Sequence, residues 1–147
     1  MQQLDEAGIE TVLRGMGYGF IGLARDDRPY VIPISFGYDG ATLYFQLNAT
    51  GRKFDYIDDP TSVDDATSAS FAVLDVDRDT GTSRSVLVEG ALAEVPTDEA
   101  FAAYEAIADN AVFATDLEVW GYPLHETELR LFKLEPTTMS GRVFGAN

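Results

Sequence analysis

The apolar residues at the start of the chain first follow the spacing of a helix and then that of strands. Apolar positions three and four residues apart predict a helix over residues 4–14, and the glycines that follow are typical of a helix end. Apolar runs then occupy residues 19–24 and 30–38, on either side of a short polar stretch. This pattern predicts a β-hairpin directly after the helix.

The remainder of the chain adds more strands joined by antiparallel turns. We expect, in order, a turn at Asp39-Gly40, a strand over 42–47, a short helix over 52–57, paired strands over 69–76 and 85–95, a helix with its N-cap at Thr97, and a last strand over 128–134 that ends before Pro136. Six strands with short helices between them indicate a mainly β (α+β) fold and not a parallel βαβ fold. Without a linker or repeat, the 147 residues fit one domain, 1–147.

The net charge of the chain limits the classes of partner that it can bind. The chain has 25 Asp and Glu against 10 Lys and Arg, a formal net charge of −15. This field repels nucleic acids and anionic membranes, so we expect neither as a partner. Only two lysines are present, and such a balance resembles that of halophilic proteins from a salt-saturated cytoplasm. In about 0.1 M salt, where the Debye length is about 10 Å, the charge would weaken the fold.

The residue inventory also removes several kinds of site. There is no cysteine, which excludes disulfides, thiolate nucleophiles and cysteine-bound metals, and the single histidine, His125, excludes a histidine-rich metal site. His125 is either structural or an acid–base group. The sequence shows neither a basic leader nor the roughly 20 apolar residues of a membrane span, so we expect a cytoplasmic protein without a metal.

Gly17, Gly19 and Gly22 form the GxGxxG string of dinucleotide-binding folds. That motif requires a strand before the glycines and a helix after them. The predicted order here is the reverse. The glycines therefore indicate a helix end and the entry into a strand.

Two segments are candidates for holding an anion. Thr50, Arg52 and Lys53 follow a predicted strand and open a predicted helix, where a hydroxyl, two cations and backbone N–H groups suit a phosphate. The alternative is a solvated turn. Arg84 and Ser85 stand at the start of another strand and provide either a second anion contact or a polar turn.

Pro33 interrupts the apolar run of residues 30–38. Because proline cannot donate a hydrogen bond to a central ladder, two interpretations remain open. Either the strand is disrupted and leaves backbone groups for a flat heterocycle, or it is an ordinary edge strand.

Taken in order, these segments resemble the pyridoxamine 5'-phosphate oxidase-like split-barrel flavoproteins over residues 19–142. The segments that carry the resemblance are Arg28-Pro-Tyr-Val-Ile-Pro-Ile-Ser-Phe, Leu43-Tyr-Phe-Gln-Leu-Asn with Thr50-Gly-Arg-Lys, Asp59-Pro60, Arg84-Ser-Val-Leu-Val-Glu-Gly and Leu131-Phe-Lys-Leu-Glu-Pro. The resemblance implies a six-stranded antiparallel split β-barrel with short flanking helices that binds FMN. It also implies a homodimer with the cofactor at the interface.

The resemblance assigns roles to particular residues. Thr50, Arg52 and Lys53 would bind the FMN phosphate, and the partner subunit would supply Arg84 and Ser85. The stretch that would lie along the isoalloxazine ring includes Pro33, Ile34, Ser35 and Phe36.

Departures from the oxidases narrow the expected function. Gly51 stands where those oxidases often carry a serine, and no Arg-x-His pair near the C-terminus is available for pyridoxal phosphate, which argues against pyridoxamine phosphate oxidation. The ending Met139-Ser-Gly-Arg looks more like the small flavin-nucleotide-binding relatives of the nitroimidazole-resistance type. We expect an FMN-dependent oxidoreductase acting on a small molecule that the sequence does not identify. The alternatives are a non-catalytic flavin carrier or sensor, and a split barrel that binds deazaflavin or haem.

Overall fold

A computed structural model of the chain describes residues 2–48, 56–57, 67–110, 118–119, 122–123 and 129–145. Its elements are β1 Gln2–Gln3, α1 Glu6–Met16, β2 Tyr18–Arg25, β3 Arg28–Ser35, β4 Gly37–Tyr38, β5 Leu43–Asn48, β6 Thr67–Asp77, β7 Thr82–Glu94, a 3₁₀ turn Thr97–Glu99, α2 Ala100–Asn110, β8 Glu118–Val119, β9 Tyr122–Pro123 and β10 Leu129–Phe144. The predicted mainly β, antiparallel fold with short helices is confirmed.

The main sheet is antiparallel throughout and curls into a half-barrel. Its strand order is β3-β2-β6-β7-β10-β5-β4, and β1 pairs with the far end of β10. β10 pairs with β7 on one side and with β5 on the other, and the curl brings the outermost strand β3 into contact with β5. A sheet that closes except for the gap between β3 and β5 is the predicted split barrel.

The core fills the inner surface of this sheet. Four of the described phenylalanines have no exposed surface, and Phe71 packs edge-on against both Phe36 and Phe45 with ring centroids 5.0 and 5.2 Å apart. Helix α1 closes one side of the barrel with Val12 and Leu13, which are 1% and 0% exposed. Buried residues alternate with exposed ones along β2 and β6, so one side of each strand faces this core.

The glycine string ends a helix and enters a strand, as the predicted element order indicates. Asp5 caps α1 by accepting a hydrogen bond from the Gly8 N–H at 2.8 Å, and Gly17 ends it in the left-handed conformation at φ 58°. Gly19 lies within β2, where a β-carbon would approach the Ala72 carbonyl oxygen to 2.5 Å. A dinucleotide-binding turn is therefore excluded at this position.

Several predicted details are wrong. Thr97 does not cap a helix, since it opens a 3₁₀ turn whose N-cap, Pro96, makes no side-chain cap bond. The last strand continues past Pro136 to Phe144, because a β-bulge between Pro136 and Thr138 accommodates the proline. The main sheet has eight strands and not six, since the predicted strand over 30–38 divides into β3 and β4 and β1 is added. Except for residues 56–57, the helix expected over 52–57 lies outside the described residues.

Candidate functional site

β3 is the edge strand of the described sheet on the open side of the barrel. Its pairing with β2 is unbroken from Arg25 opposite Arg28 to Tyr18 opposite Ser35. A two-residue turn joins the two strands, and both of its residues, Asp26 and Asp27, have positive φ (51° and 63°). Pro33 therefore does not disrupt the strand, and the structure favours the edge-strand interpretation.

The hairpin register determines which backbone groups of β3 point away from β2. In a two-residue hairpin the pair that flanks the turn is hydrogen-bonded, and bonded pairs alternate from there along the strands. Pro29, Val31 and Pro33 fall on the positions that do not bond to β2. Both prolines thus occupy places where a missing N–H costs no ladder bond. The carbonyl oxygens of these residues point towards the open edge.

The four residues expected along a flavin ring divide between two environments. Ile34 and Phe36 are in the core, 8% and 0% exposed, whereas Pro33 is exposed and Ser35 half-buried on the other side of the strand. The Phe36 carbonyl accepts a hydrogen bond from Asn110 Nδ2 at 3.0 Å, which sequence reasoning missed because no local pattern links positions 36 and 110. Only Pro33 and Ser35 present side chains to a ligand outside the barrel.

Thr50, Arg52 and Lys53 lie outside the described residues, but both ends of their segment are described. β4 continues from β3 and pairs with the start of β5, so the rest of β5 runs back beside β3 and ends at Asn48. The chain is next described at Tyr56, whose ring stacks on Tyr30 of β3 with centroids 4.9 Å apart and 5° between the planes. Both flanks of the predicted phosphate segment therefore lie at β3.

The side chains of Arg84 and Ser85 leave β7 on opposite faces, because successive residues of a strand alternate. Arg84 follows the inward-facing alternation and forms an ion pair with Asp75 of β6 through Nη2 and Oδ2. Ser85 faces outward between Leu74 of β6 and Arg142 of β10. A ligand that lies against one face of β7 contacts only one of the two side chains.

The side of the sheet that faces away from the core is also largely apolar. We call it the outer face and define it by the residues Tyr18, Phe20, Gly22, Ala24, Pro29, Val31, Pro33, Ser35, Ser68, Ser70, Ala72, Leu74, Val76, Ser83, Ser85, Leu87, Glu89, Ser140, Arg142 and Phe144. Seven of these are large hydrophobic side chains with at least 38% of their surface exposed. Sequence reasoning missed this surface, although apolar residues at both alternations of β6 and β7 were a signal for it.

A groove of about 560 Å³ crosses the outer face between β3 and β7. It is lined mainly by small residues, among them Gly22, Ala24, Ser70 and Ala91, with Glu89 at its border. Small side chains leave this depression because strands on both sides of it carry larger ones. It has the size of a ligand pocket, in the range of about 300–1,000 Å³.

The ion pairs of β10 join it to β7 and to the 3₁₀ turn before α2. Arg130 makes two bonds to the Glu94 carboxylate, at 2.9 and 2.7 Å, and Lys133 Nζ contacts Glu99 at 2.9 Å and Glu135 at 3.2 Å. Burial lowers the pKa of Lys133, but its hydrogen bonds to both glutamates outweigh this effect and raise the pKa above its usual value.

Within the described parts of the chain, no group of three or more His, Cys, Asp or Glu side chains is arranged to hold a metal ion. Among the same residues, no helix has the length and apolar character required to cross a membrane.

Solved structures of other proteins share this fold. A FAD-binding protein from Mesorhizobium loti is 22% identical, with a TM-score of 0.74 over 97% of this chain and 96% of that chain. A candidate 5-nitroimidazole antibiotic resistance protein from Bacteroides thetaiotaomicron is 19% identical, with a TM-score of 0.72 over 97% and 86%. A FAD and haem binding protein from Mycobacterium smegmatis is 15% identical, with a TM-score of 0.69 over 97% and 73%.

None of the curated proteins matches this sequence. Residues 5–143 match the sequence family described as pyridoxamine 5'-phosphate oxidase. The match covers nearly the whole chain and agrees with the curled antiparallel sheet and its two helices. The chain therefore belongs to the pyridoxamine 5'-phosphate oxidase family.

Proposed function

We propose that this protein is an FMN-dependent oxidoreductase of the cytoplasm that works as a homodimer and binds the flavin at the open edge of β3. The observation that carries the proposal is the arrangement at that edge. Outward carbonyl groups of β3 lie beside both flanks of a segment that contains Arg52 and Lys53. Family membership supports the same location.

The residues of the edge suit the two ends of a flavin nucleotide. Arg52 and Lys53 neutralise the phosphate and Thr50 donates a hydrogen bond to it. The carbonyl oxygens of Val31 and Pro33 accept hydrogen bonds from N–H groups of the ring, while the rigid backbone at Pro33 holds their direction. The exposed side of Pro33 and the Ser35 hydroxyl are the side-chain contacts that remain, since Ile34 and Phe36 are buried.

The partner subunit contributes Ser85 rather than the Arg84 guanidinium. Ser85 lies on the outer face, where a second subunit can reach it, whereas Arg84 faces the other way and is already paired with Asp75. Bound flavin supplies the redox chemistry, and the chain supplies binding, orientation and exclusion of water.

FAD is a second candidate cofactor, because two of the structural relatives are described as FAD-binding. Both nucleotides contain the phosphate and ring that the edge of β3 suits. They differ in the adenylate part, for which the groove on the outer face offers space.

The first test is the visible absorbance of the protein purified in high salt, followed by release of the chromophore and its identification by mass. We expect a flavin spectrum and the release of FMN. If the released flavin is FAD, FAD replaces FMN as the proposed cofactor. A haem or deazaflavin spectrum, or a colourless protein that takes up no added flavin, would contradict flavin binding. Reduction of the bound flavin by a reduced nicotinamide and its reoxidation by a second substrate separate an enzyme from a carrier.

The phosphate assignment is tested by changing Arg52 and Lys53 together to Ala. We expect the FMN affinity to fall by more than tenfold, equivalent to about 1.4 kcal/mol. The matched control is Arg14→Ala, which also removes a cation, but from an exposed pair with Glu10 on α1. Equal, small losses in both proteins would show that the pair does not hold the phosphate.

A further inference from the structure

Three side chains that donate hydrogen bonds lie side by side where β1, β10 and β7 meet. The strand registers place Arg142 of β10 opposite Gln3 of β1 on one side and opposite Ser85 of β7 on the other. Residues directly opposite each other in an antiparallel pair have side chains on the same face, with Cα atoms about 4.5–5.5 Å apart. A guanidinium, an amide and a hydroxyl therefore share one small area of the sheet, which we call the Arg142 patch.

The side chains of the Arg142 patch have no partner within the part of the chain that the structure describes. None of Gln3, Ser85 and Arg142 makes a side-chain hydrogen bond or an ion pair with a described residue. Carboxylates pair with other described cations, which are Arg14, Arg84, Arg130 and Lys133. In a chain with 25 acids, a cation without a carboxylate has hydrogen-bonding capacity for another anion.

The surroundings of Arg142 on its own face also lack negative charge. Glu89 is the one acid among the residues that define the outer face, and it stands four residues beyond Ser85 on β7, about 13 Å away at the usual rise per residue. Arg28 and Arg78 also form no ion pair with a described residue, but each has two aspartates within two residues along the chain. Arg142 is therefore the described cation that is best placed to attract an anion.

Arg142 lies far from the predicted phosphate segment of its own chain. That segment follows Asn48, which pairs with Leu129 at the start of β10, and Arg142 lies 13 residues further along β10, about 43 Å at the usual rise. In the other direction, β7, β6 and β2 separate β10 from the β3 edge, a distance of four strand spacings or about 19 Å. An anion at the Arg142 patch therefore belongs to a second copy of the chain or to a free ligand.

We propose that Arg142, with Gln3 and Ser85 beside it, binds the phosphate of the flavin nucleotide that a second copy of the chain holds. The inference rests on the flavin site and the homodimer of the proposed function and adds the cation that the partner supplies. A phosphate group carries a charge of about −1.5 to −2 at neutral pH, and the planar guanidinium donates two parallel hydrogen bonds to its oxygens. Arg84 does not fill this role, because it is already paired with Asp75.

Arg142→Met tests the assignment, and Arg78→Met is its matched control, because each removes one exposed cation without a described ion pair. Dissociation constants are measured for FMN and for riboflavin, which has the same ring and no phosphate, at one salt concentration at which circular dichroism shows every variant folded. We expect Arg142→Met to weaken FMN binding at least about tenfold and to change riboflavin binding by less than about twofold. Arg78→Met should change neither by more than about twofold, as is usual for a distant surface charge.

Equal losses for FMN and riboflavin in Arg142→Met would overturn the assignment, because the effect would not concern the phosphate. An unchanged FMN affinity would also overturn it, whereas flavin binding itself would stand. Calorimetric titration with inorganic pyrophosphate identifies the source of the anion. If Arg142→Met loses pyrophosphate binding but keeps its FMN affinity, the patch holds a free phosphorylated ligand and the flavin assignment is wrong.

Failure of the proposed function is distinguishable from failure of this inference. If the parent protein binds neither FMN nor riboflavin, the proposed function fails and the flavin assignment of the Arg142 patch fails with it. The pyrophosphate titration then tests the patch alone. Loss of pyrophosphate binding in Arg142→Met and not in Arg78→Met would support an anion site, and equal binding in both variants would overturn it.

Discussion

The hydrogen bond from Asn110 to Phe36 joins α2 to the point where β3 gives way to β4. Asn110 Nδ2 lies 3.0 Å from the Phe36 carbonyl oxygen, and Phe36 has no exposed side-chain surface. Asn110→Ala leaves this carbonyl without its partner, at a cost of about 1–3 kcal/mol. Alanine has a higher helix propensity than asparagine, which offsets at most about 0.7 kcal/mol of this cost. With this offset in full, we expect a net loss of about 0.3–2.3 kcal/mol in the free energy of unfolding.

The measurement is urea unfolding in high salt, followed by circular dichroism and compared at constant slope m. Asp109→Ala is the control, because Asp109 is exposed on the same turn of α2 and makes no described bond to β4. The flavin affinity of Asn110→Ala should fall as well, since the released carbonyl lies at the end of the β3 edge. A loss no larger than that of the Asp109→Ala control would refute the reasoning.

Three further predictions concern stability. Gly90→Ala should destabilise the protein strongly, because the new β-carbon would collide with the Glu135 backbone oxygen. Gly15→Ala should stabilise it by up to about 1 kcal/mol, because Gly15 is helical and a β-carbon there meets no atom within 4 Å outside its own helix; urea unfolding measures both. Burial, the charge of Asp39 and the hydrogen bond to it raise the pKa of Tyr44, so the stability that this phenol contributes is complete below about pH 10.0 and is lost as the pH rises through the folded-state pKa. The urea midpoint should thus depend less on alkaline pH in Tyr44→Phe, and an identical pH dependence would contradict this. The thermal midpoint should rise as salt increases from about 0.1 M, because screening reduces self-repulsion among the 25 acids, and a midpoint independent of salt would contradict this.

The parts that local patterns predicted well are those in which neighbours along the chain decide the structure. Helix α1 is two residues later than predicted at each end, and its apolar residues face the core as their spacing requires. The hairpin of β2 and β3 forms around a polar turn. The interpretation of the glycines Gly17 to Gly22 depends only on whether a helix or a strand precedes them. The spacing of the apolar residues shows this order directly.

The wrong predictions concern segments whose structure depends on a residue that is distant in the sequence. Pro136 is a strand breaker by local rules, yet β10 continues through it because Gly90 on the neighbouring strand lets the Glu135 backbone approach closely. The division of the predicted strand at Phe36 depends on Asn110 and on Gly37, whose missing side chain admits the backbone of α2. No pattern within either segment contains this information.

The candidate site also has features that the sequence predicted and features that only the fold decided. The order of the segments that carry the resemblance was enough to predict the family, which the family match confirms, whereas the roles of Arg52, Lys53 and the Pro33 strand stay predictions. Only the tertiary structure placed β3 at an open edge, paired Arg84 with Asp75 of the neighbouring strand, and assembled an outer face with few charges from five strands. The alternation of side chains between the two faces is a local property of a strand, so the sequence reveals it. Which strands lie next to each other depends on pairing between distant segments, so only the fold decides it.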